Sequence, residues 1–189
     1  MKREISGLFK STSARLTLFV LVLGIALVVG RGACAPRSGI ALKDYEVARD
    51  YKQAIELFER NRYWLTADPK SPVEYSFSTL SPNKDPRYRG TMTIKVLRNN
   101  GDLVGFIAYY MKSPVFGFVL YVAVDERYRG KKLADKLMKH ALDDLISRGA
   151  QRIELITRPT NISAQRVYER IGFHELGRDN TYVFYEYRP

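Results

Sequence analysis

The chain has 189 residues, a length that suits one domain plus an appendage, and its 46% hydrophobic content is ordinary for a globular core. The formal net charge is +11, but Met1–Lys43 contains seven basic residues and one acidic residue and so carries +6 of it. The basic residues are not interleaved with an aromatic stacking platform, so nucleic-acid binding is not expected. The single cysteine excludes an intramolecular disulfide. Together with two isolated histidines, it cannot build a usual zinc site.

The first predicted element is an apolar stretch, Leu16–Gly30, which follows four basic residues and is closed by Arg31. As a helix, its fifteen residues would span about 22 Å, short of the ~30 Å hydrocarbon core of a bilayer. The length and the basic flank are typical of a signal peptide, whereas a short uncleaved anchor with Arg15 and Arg31 at the lipid boundaries is the competing interpretation. We therefore expect residues 1–38 to form an apolar helix and linker for membrane association or export, with its sidedness left open. Residues 39–189 are expected to form the domain.

A helix is predicted over Asp44–Asn61, where apolar side chains recur at helical spacing and Asp44 could cap the start. An aromatic-rich stripe of this kind is far more often part of a core than of a ligand site. The segment after it, up to Arg89, contains four prolines and is predicted to be irregular. It is either a loop that covers the substrate or a surface loop held in place by its aromatic side chains.

From Thr91 onward the pattern changes to that of β-strands, because residues 92–96 alternate apolar and polar side chains. The sequence Asn99-Asn100-Gly101-Asp102 is typical of a tight hairpin turn, since asparagine and glycine accept a positive φ. The returning strand is predicted over Leu103–Met111. The apolar run Phe118–Val124 is long enough for a further, buried strand.

Helices and strands alternate in the rest of the chain. A helix with a wide apolar stripe is predicted from Leu133 to Leu145, followed by a strand at Arg152–Thr157 and a helix at Ile162–Ile171. A final hairpin joins strands at His174–Leu176 and Tyr182–Tyr187. These elements predict an α/β domain with a mixed sheet and no internal repeat.

The turn between the strand ending at Val124 and the next helix has the composition of a phosphate site. The first turn of a helix has N–H groups without internal partners, and the helix dipole places partial positive charge there. Gly130 allows the backbone to approach a ligand closely, and Arg129, Lys131 and Lys132 add full charges. The alternative is an ordinary strand–turn–helix connection with a solvated basic turn.

Two blocks together resemble the GNAT N-acetyltransferase superfamily. Arg129-Gly130-Lys131-Lys132-Leu133-Ala134 resembles its acyl-CoA pyrophosphate loop, Q/R-x-x-G-x-G/A, when the pattern is started at Arg129. Asn161-x-x-Ala164-x-x-x-Tyr168-Glu169-x-x-Gly172-Phe173 resembles the second half of the same cofactor site. The resemblance covers Thr91–Tyr187 well and Ile40–Asn61 loosely. It implies a single domain with a mixed, mostly antiparallel central sheet flanked by helices.

The resemblance also implies acetyl-CoA as co-substrate, without a metal, and a role for each matching residue. Backbone groups of Val122 and Val124 are expected to bind pantetheine, and the loop Arg129–Ala134 to hold the pyrophosphate. Asn161 is expected to hydrogen-bond the cofactor or the nearby backbone, or simply to cap its helix. Tyr168 matches the general acid that protonates the departing thiolate in many relatives. Its alternative is a packing tyrosine on an amphipathic helix.

One residue departs from the pattern, since Lys132 occupies the position of the first internal glycine. If that position needs a positive φ, its Cβ costs about 1 kcal/mol or more. Such strain would weaken acetyl-CoA binding, although the lysine could instead add a phosphate contact.

The resemblance therefore predicts transfer of an acetyl group from acetyl-CoA to a primary amine by direct attack in a ternary complex. The acceptor, a small molecule or a protein, is left open, and so is the general base. Asp125, Glu126, Glu154 and Glu175 are the candidate carboxylates, with a water chain as the substitute and a solvated face slightly favoured for Glu154. The alternative function is a non-catalytic, membrane-tethered binding module of the same fold.

Overall fold

The computed structural model describes residues 39–66, 70, 73–81 and 90–189. The apolar helix predicted within residues 1–38 lies outside these residues, as does most of the proline-rich segment. Among the described residues, the helices are too short or too polar to cross a membrane.

Seven strands and four helices make up the described part of the chain. The strands are β1 Ala41–Asp44, β2 Thr93–Asn99, β3 Asp102–Ser113, β4 Phe116–Val124, β5 Arg152–Thr157, β6 His174–Arg178 and β7 Val183–Tyr187. The helices are α1 Val47–Leu65, α2 Val73–Thr79, α3 Leu133–Ser147 and α4 Ile162–Arg170.

The strands form one sheet in the order β1-β2-β3-β4-β5-β7-β6. Every neighbouring pair is antiparallel except β4 and β5, which run parallel. The predicted mixed, mostly antiparallel sheet flanked by helices is therefore confirmed. In the β2–β3 turn, Asn100 and Gly101 have φ values of +49° and +97°, the left-handed pair that a tight hairpin requires.

Two elements were not predicted, β1 and α2, and the start of α1 was predicted wrongly. Asp44 does not cap α1, because it ends β1 and pairs with Lys95 across the sheet. The helix begins after Glu46, whose N–H donates to Asp50 Oδ2 at 2.9 Å. β1 is only four residues long, too short to show a strand alternation of its own.

The sheet has a hydrophobic core on each face. Val119 on β4 points into the core formed with α3 and α4, whereas Tyr121 and Ala123 point into the core formed with α1 and α2. Helix α3 places Leu137, Met138 and other apolar residues of its stripe in the first core. Both layers are thus anchored on β4, and the ends of their helices converge on its carboxyl end.

Candidate active site

The parallel strands β4 and β5 diverge soon after they meet. Phe116 lies opposite Arg152 and Phe118 lies opposite Glu154, and no later residue of β4 pairs with β5. The divergence opens a cleft of about 910 Å³. The cleft is lined by β4 from Phe118 onward, the end of β5, the starts of α3 and α4, and the end of α1.

The open edge of β4 presents main-chain groups to this cleft. The Asp125 N–H donates to Val104 O on β3 at 2.9 Å. Hydrogen-bonding direction alternates along an antiparallel strand, so the N–H and C=O groups of Val122 and Val124 point away from β3 and into the cleft. In the same strand, Leu120 has no partner on β3, because Val119 lies opposite Tyr109 and Tyr121 opposite Ala108. Such a bulge kinks the strand where the cleft begins.

The turn after β4 carries two left-handed residues. A short 3-10 turn, Glu126–Tyr128, is capped by the Asp125 carboxylate, which accepts the Arg127 N–H at 3.0 Å. Gly130 then has φ +77° and Lys132 has φ +55°, and α3 begins directly after Lys132. The Lys132 position therefore does require a positive φ, at a cost of about 1 kcal/mol for a residue with a Cβ.

The start of α3 supplies unpaired N–H groups. The first helical bond runs from the Lys136 N–H to Lys132 O at 3.2 Å, so the N–H groups that precede it have no partner within the helix. Leu133 and Ala134 line the cleft together with Gly130 and Lys132. Lys131 does not, and its Nζ lies 5.0 Å from the centre of the Tyr128 ring.

The Arg129 side chain joins three elements instead of lying free. Its Nη2 donates to Asn61 Oδ1 on α1 at 2.8 Å, and its Nε donates to Val124 O at 3.3 Å. Asn61 is buried, and its Nδ2 donates to Leu57 O at 2.8 Å. Sequence reasoning missed Asn61, although an amide at a buried position of a helix is a signal that it has a specific partner.

Helix α4 places two of the expected residues at the cleft. Asn161 precedes the helix without a side-chain capping bond, and its Nδ2 donates to Thr157 Oγ1 at 3.3 Å. Tyr168 is buried, with its ring 5.8 Å from that of Tyr185 and 6.2 Å from that of Phe173. Burial, together with Tyr185, raises the pKa of the Tyr168 hydroxyl well above its ordinary value, so this group keeps its proton at neutral pH. Both residues line the cleft.

The model of the acetyltransferase (GNAT) family matches residues 51–173, about two thirds of the chain. The chain belongs to the GNAT family. With the pattern started at Arg129, Lys132 stands at the position of the first glycine, and its φ of +55° is the left-handed conformation that favours glycine.

Similar proteins of known name include the [ribosomal protein bS18]-alanine N-acetyltransferase of Escherichia coli strain K12, 29% identical over 104 residues, which are 53% of this chain and 65% of that protein. The N-alpha-acetyltransferase 30 of Schizosaccharomyces pombe is 42% identical over 57 residues, 30% of this chain and 38% of that protein. The chain spans less than two thirds of the length of these curated relatives.

Solved structures share the fold at low identity. The PaiA N-acetyltransferase from Thermoplasma acidophilum, in complex with coenzyme A, has a TM-score of 0.63 at 16% identity and covers 80% of this chain and 99% of its own. The ribosomal-protein-S18-alanine N-acetyltransferase from Escherichia coli has a TM-score of 0.60 at 22% identity and covers 79% of this chain and 94% of its own.

The candidate carboxylate bases lie away from the cleft of this GNAT domain. Asp125 is buried, and hydrogen bonds from Arg127, with a further ion pair to Arg60, hold its pKa below the ordinary value. Glu154 pairs with Arg152 at 3.3 Å, and Glu175 pairs with Arg178. None of these, nor Glu126, is among the described residues that line the cleft, where Asp135 is the one carboxylate.

Proposed function

We propose that this chain transfers an acetyl group from acetyl-CoA to a primary amine by direct attack in a ternary complex. The observation that carries the proposal is the open edge of β4, with Val122 and Val124 directed into the cleft, leading to a turn with free N–H groups at the start of α3. Membership of the GNAT family supports the same reaction.

The residues present fit acetyl-CoA. An extended chain with amide groups, such as pantetheine, can pair with the main-chain groups of Val122 and Val124 as an added strand would. The N–H groups at the start of α3, with the Lys132 ammonium, suit a pyrophosphate. Acetyl-CoA, when bound, supplies a thioester that is activated toward amines.

Tyr168 is the proton donor in this proposal. Its hydroxyl keeps its proton at neutral pH because burial raises its pKa, and the residue lines the cleft. A protonated hydroxyl beside the departing sulfur can give its proton to the thiolate that forms there and then regain one from water. The amine attacks the thioester directly, so the enzyme needs no covalent intermediate.

The names of similar proteins support an amine as the acceptor. They include an N-alpha-acetyltransferase and an alanine N-acetyltransferase that acts on ribosomal protein bS18. The competing function, a binding module without catalysis, is favoured by one observation, the left-handed Lys132 at a position where the family pattern has a small residue.

Calorimetric titration of acetyl-CoA into the full chain, with Gly130→Glu for comparison, tests the proposal. Gly101 provides a matched control, because it also has a positive φ and open space around an added Cβ, but lies in the β2–β3 turn. We expect Gly130→Glu to weaken binding at least about 100-fold, since a carboxylate facing a pyrophosphate costs several kcal/mol. Gly101→Glu should bind like the wild type.

Release of the CoA thiol in the presence of amines separates the two functions. Binding together with amine-dependent thiol release supports the acetyltransferase. Binding without thiol release from any amine tested favours the binding module. If the folded wild type does not bind acetyl-CoA, the proposed function is wrong.

A further inference from the structure

One end of the cleft is lined by three segments that are distant in the sequence, and we call this end the mouth. Arg158, which follows β5, joins the end of α1 to the end of β5. Its Nε donates to Tyr63 O, its Nη2 donates to Thr66 O at 3.1 Å, and its guanidinium carbon lies 4.3 Å from the centre of the Tyr63 ring. On the other side of β5, Ile156 lies opposite Phe184 on β7. The mouth is thus formed by the ends of α1 and β5 and the start of β7.

Large apolar side chains stay exposed around the mouth. We call them the aromatic rim: Tyr63, Trp64, Ile156 and Phe184 are exposed, and the partly buried Tyr182 lies beside them with its ring 6.4 Å from that of Phe184. Tyr63 is 58% exposed, Trp64 39%, and Ile156 and Phe184 38% each. Ile156 and Phe184 alternate with the buried Leu155 and Tyr185, so they lie on the face of the sheet that α1 covers elsewhere. An apolar surface of this kind next to a reaction cleft marks a binding site for an apolar group.

The charges of the cleft disfavour acceptors that carry several positive charges. Four cationic side chains line it within the described part of the chain: Arg129, Lys132, Arg158 and Arg170. Against them stands Asp135, whose carboxylate is 2.7 Å from Arg170 Nη2. A polyamine or an aminoglycoside would find no unpaired carboxylate among the described lining residues to bind its additional ammonium groups.

The cleft also favours amines that lose their proton easily. Among its described lining residues there is no histidine and no unpaired carboxylate to remove a proton from an ammonium group. Without such a base, the ammonium group must lose its proton to water before the amine attacks. The pKa of the amine itself then decides how much neutral amine is available. An α-amino group has a pKa of about 7.7–8.0 and a lysine side chain about 10.4. At pH 7 the neutral fraction is therefore roughly 300 times larger for the α-amine.

We propose that the acceptor is the α-amino group at the start of a polypeptide whose first side chain is apolar or aromatic. The inference rests on the acetyltransferase function proposed above. A polypeptide fits better than a free amino acid because the rim extends beyond the cleft. Trp64, Ile156 and Tyr182 line the cleft, whereas Tyr63 and Phe184 lie outside it, where residues after the first would reach them.

The reaction balances without a further reagent. The neutral α-amine forms the new N–C bond as the C–S bond of the thioester breaks. The amine nitrogen releases one proton to water, and the departing sulfur takes one from Tyr168. The products are an N-terminally acetylated peptide and the free CoA thiol.

Peptides of equal length test the acceptor class with the full chain. The set contains a peptide beginning with Phe, one beginning with Asp, and one with a blocked N-terminus and a single lysine, with spermidine alongside. We expect kcat/KM at pH 7 to be at least about 10-fold higher for the Phe peptide than for the Asp peptide. The lysine peptide should be at least about 100-fold slower than the Phe peptide, given the neutral fractions. The rate with the Phe peptide should rise with pH and level off near pH 8.

Two rim variants test the surface itself. Trp64→Ala and Tyr182→Ala should each raise KM for the Phe peptide about 10-fold, since an aromatic side chain loses its apolar contact. Binding of acetyl-CoA should not change. Leu176 is a matched control, because it is a 54% exposed apolar residue on β6 that is not among the residues lining the cleft. Leu176→Ala should behave like the wild type.

The results distinguish a wrong acceptor from a wrong function. If acetyl-CoA binds and the lysine peptide or spermidine reacts fastest, the acceptor inference is overturned while the acetyltransferase function stands. Equal effects of Trp64→Ala and Leu176→Ala would also overturn it. If acetyl-CoA does not bind, both proposals fail together.

Discussion

The two ends of the cleft are built in different ways. The end formed by β4, the turn and the start of α3 is one continuous stretch of chain, and it offers main-chain groups such as those of Val122 and Val124. The mouth is assembled from three separate segments and offers side chains. Main-chain geometry recurs wherever the same local conformation forms, whereas a side-chain surface depends on which distant segments meet. We therefore expect the first end to be the part that members of a family can share, and the mouth to be the part that can differ with the acceptor.

If both ends only position substrates, the chemistry should depend on Tyr168, which belongs to neither. We expect Tyr168→Phe to lower kcat by about 10²–10⁴-fold, the range for loss of a positioned acid. The KM for acetyl-CoA should stay close to that of the wild type. Because burial raises the pKa of Tyr168, its proton should be available throughout the neutral range, so the rate should not fall between pH 7 and 9. Steady-state thiol release measures both quantities.

Tyr185→Phe is the control for this variant. Tyr185 is buried beside Tyr168, and its hydroxyl donates to Glu169 Oε1 at 3.1 Å. Its loss should cost about 1 kcal/mol of the free energy of unfolding, as for an ordinary hydrogen bond, and leave kcat unchanged. If both variants lose activity equally, Tyr168 has a packing role, the alternative that its helix pattern also allowed.

The same contrast explains how much of the fold could be predicted from the sequence. The β2–β3 hairpin was predicted from the local turn chemistry of Asn100 and Gly101, and the register confirms it, with Asn99 opposite Asp102. β1 could not be predicted, because its four residues form a strand only by pairing with residues 95–98 of β2. Elements whose conformation is determined by adjacent residues could be predicted, whereas β1, which depends on pairing with distant residues, could not.

In the candidate site, too, features set by adjacent residues could be predicted and contacts between distant residues could not. The turn around Gly130 and the helix start after Lys132 were predictable from adjacent residues. The contact between Arg129 and Asn61 was not, because it joins positions 68 residues apart. The aromatic rim was missed for the same reason, since Trp64 and Tyr182 line one cleft only in the folded chain.

Helix α1, which carries part of the mouth, is attached to the sheet by a buried ion pair that acid should break. Asp50 is fully buried and accepts hydrogen bonds from Arg49, Arg98 and the Glu46 N–H. Burial alone would raise the pKa of Asp50, but these bonds together lower it to about 2. A lowered pKa contributes stability that is present above pH 4 and is lost as the pH falls toward 2. The contribution is about 2 kcal/mol.

Urea unfolding of the wild type and Asp50→Asn from pH 6 to pH 2 measures this contribution. The wild type should be the more stable at pH 6, and its advantage should shrink by about 2 kcal/mol as the pH falls to 2. Asp143→Asn is the control, because its ion pair with Lys139 is exposed on both sides and should contribute close to nothing at any pH. A constant difference between wild type and Asp50→Asn would show that the ion pair does not hold α1.

The smallest expected effect concerns the other end of the cleft, where main-chain geometry is decisive. Lys132 has φ +55°, so Lys132→Gly should raise the free energy of unfolding by about 1 kcal/mol. Lys131→Gly removes the same charge next door, where φ is not positive, and should give no gain. Lys132→Ala keeps the Cβ and should give none either. If Lys132→Gly is no more stable than Lys131→Gly, the turn is not strained. In that case Lys132 adopts the conformation of this turn without a cost in stability. The left-handed Lys132 would then no longer favour a non-catalytic binding module.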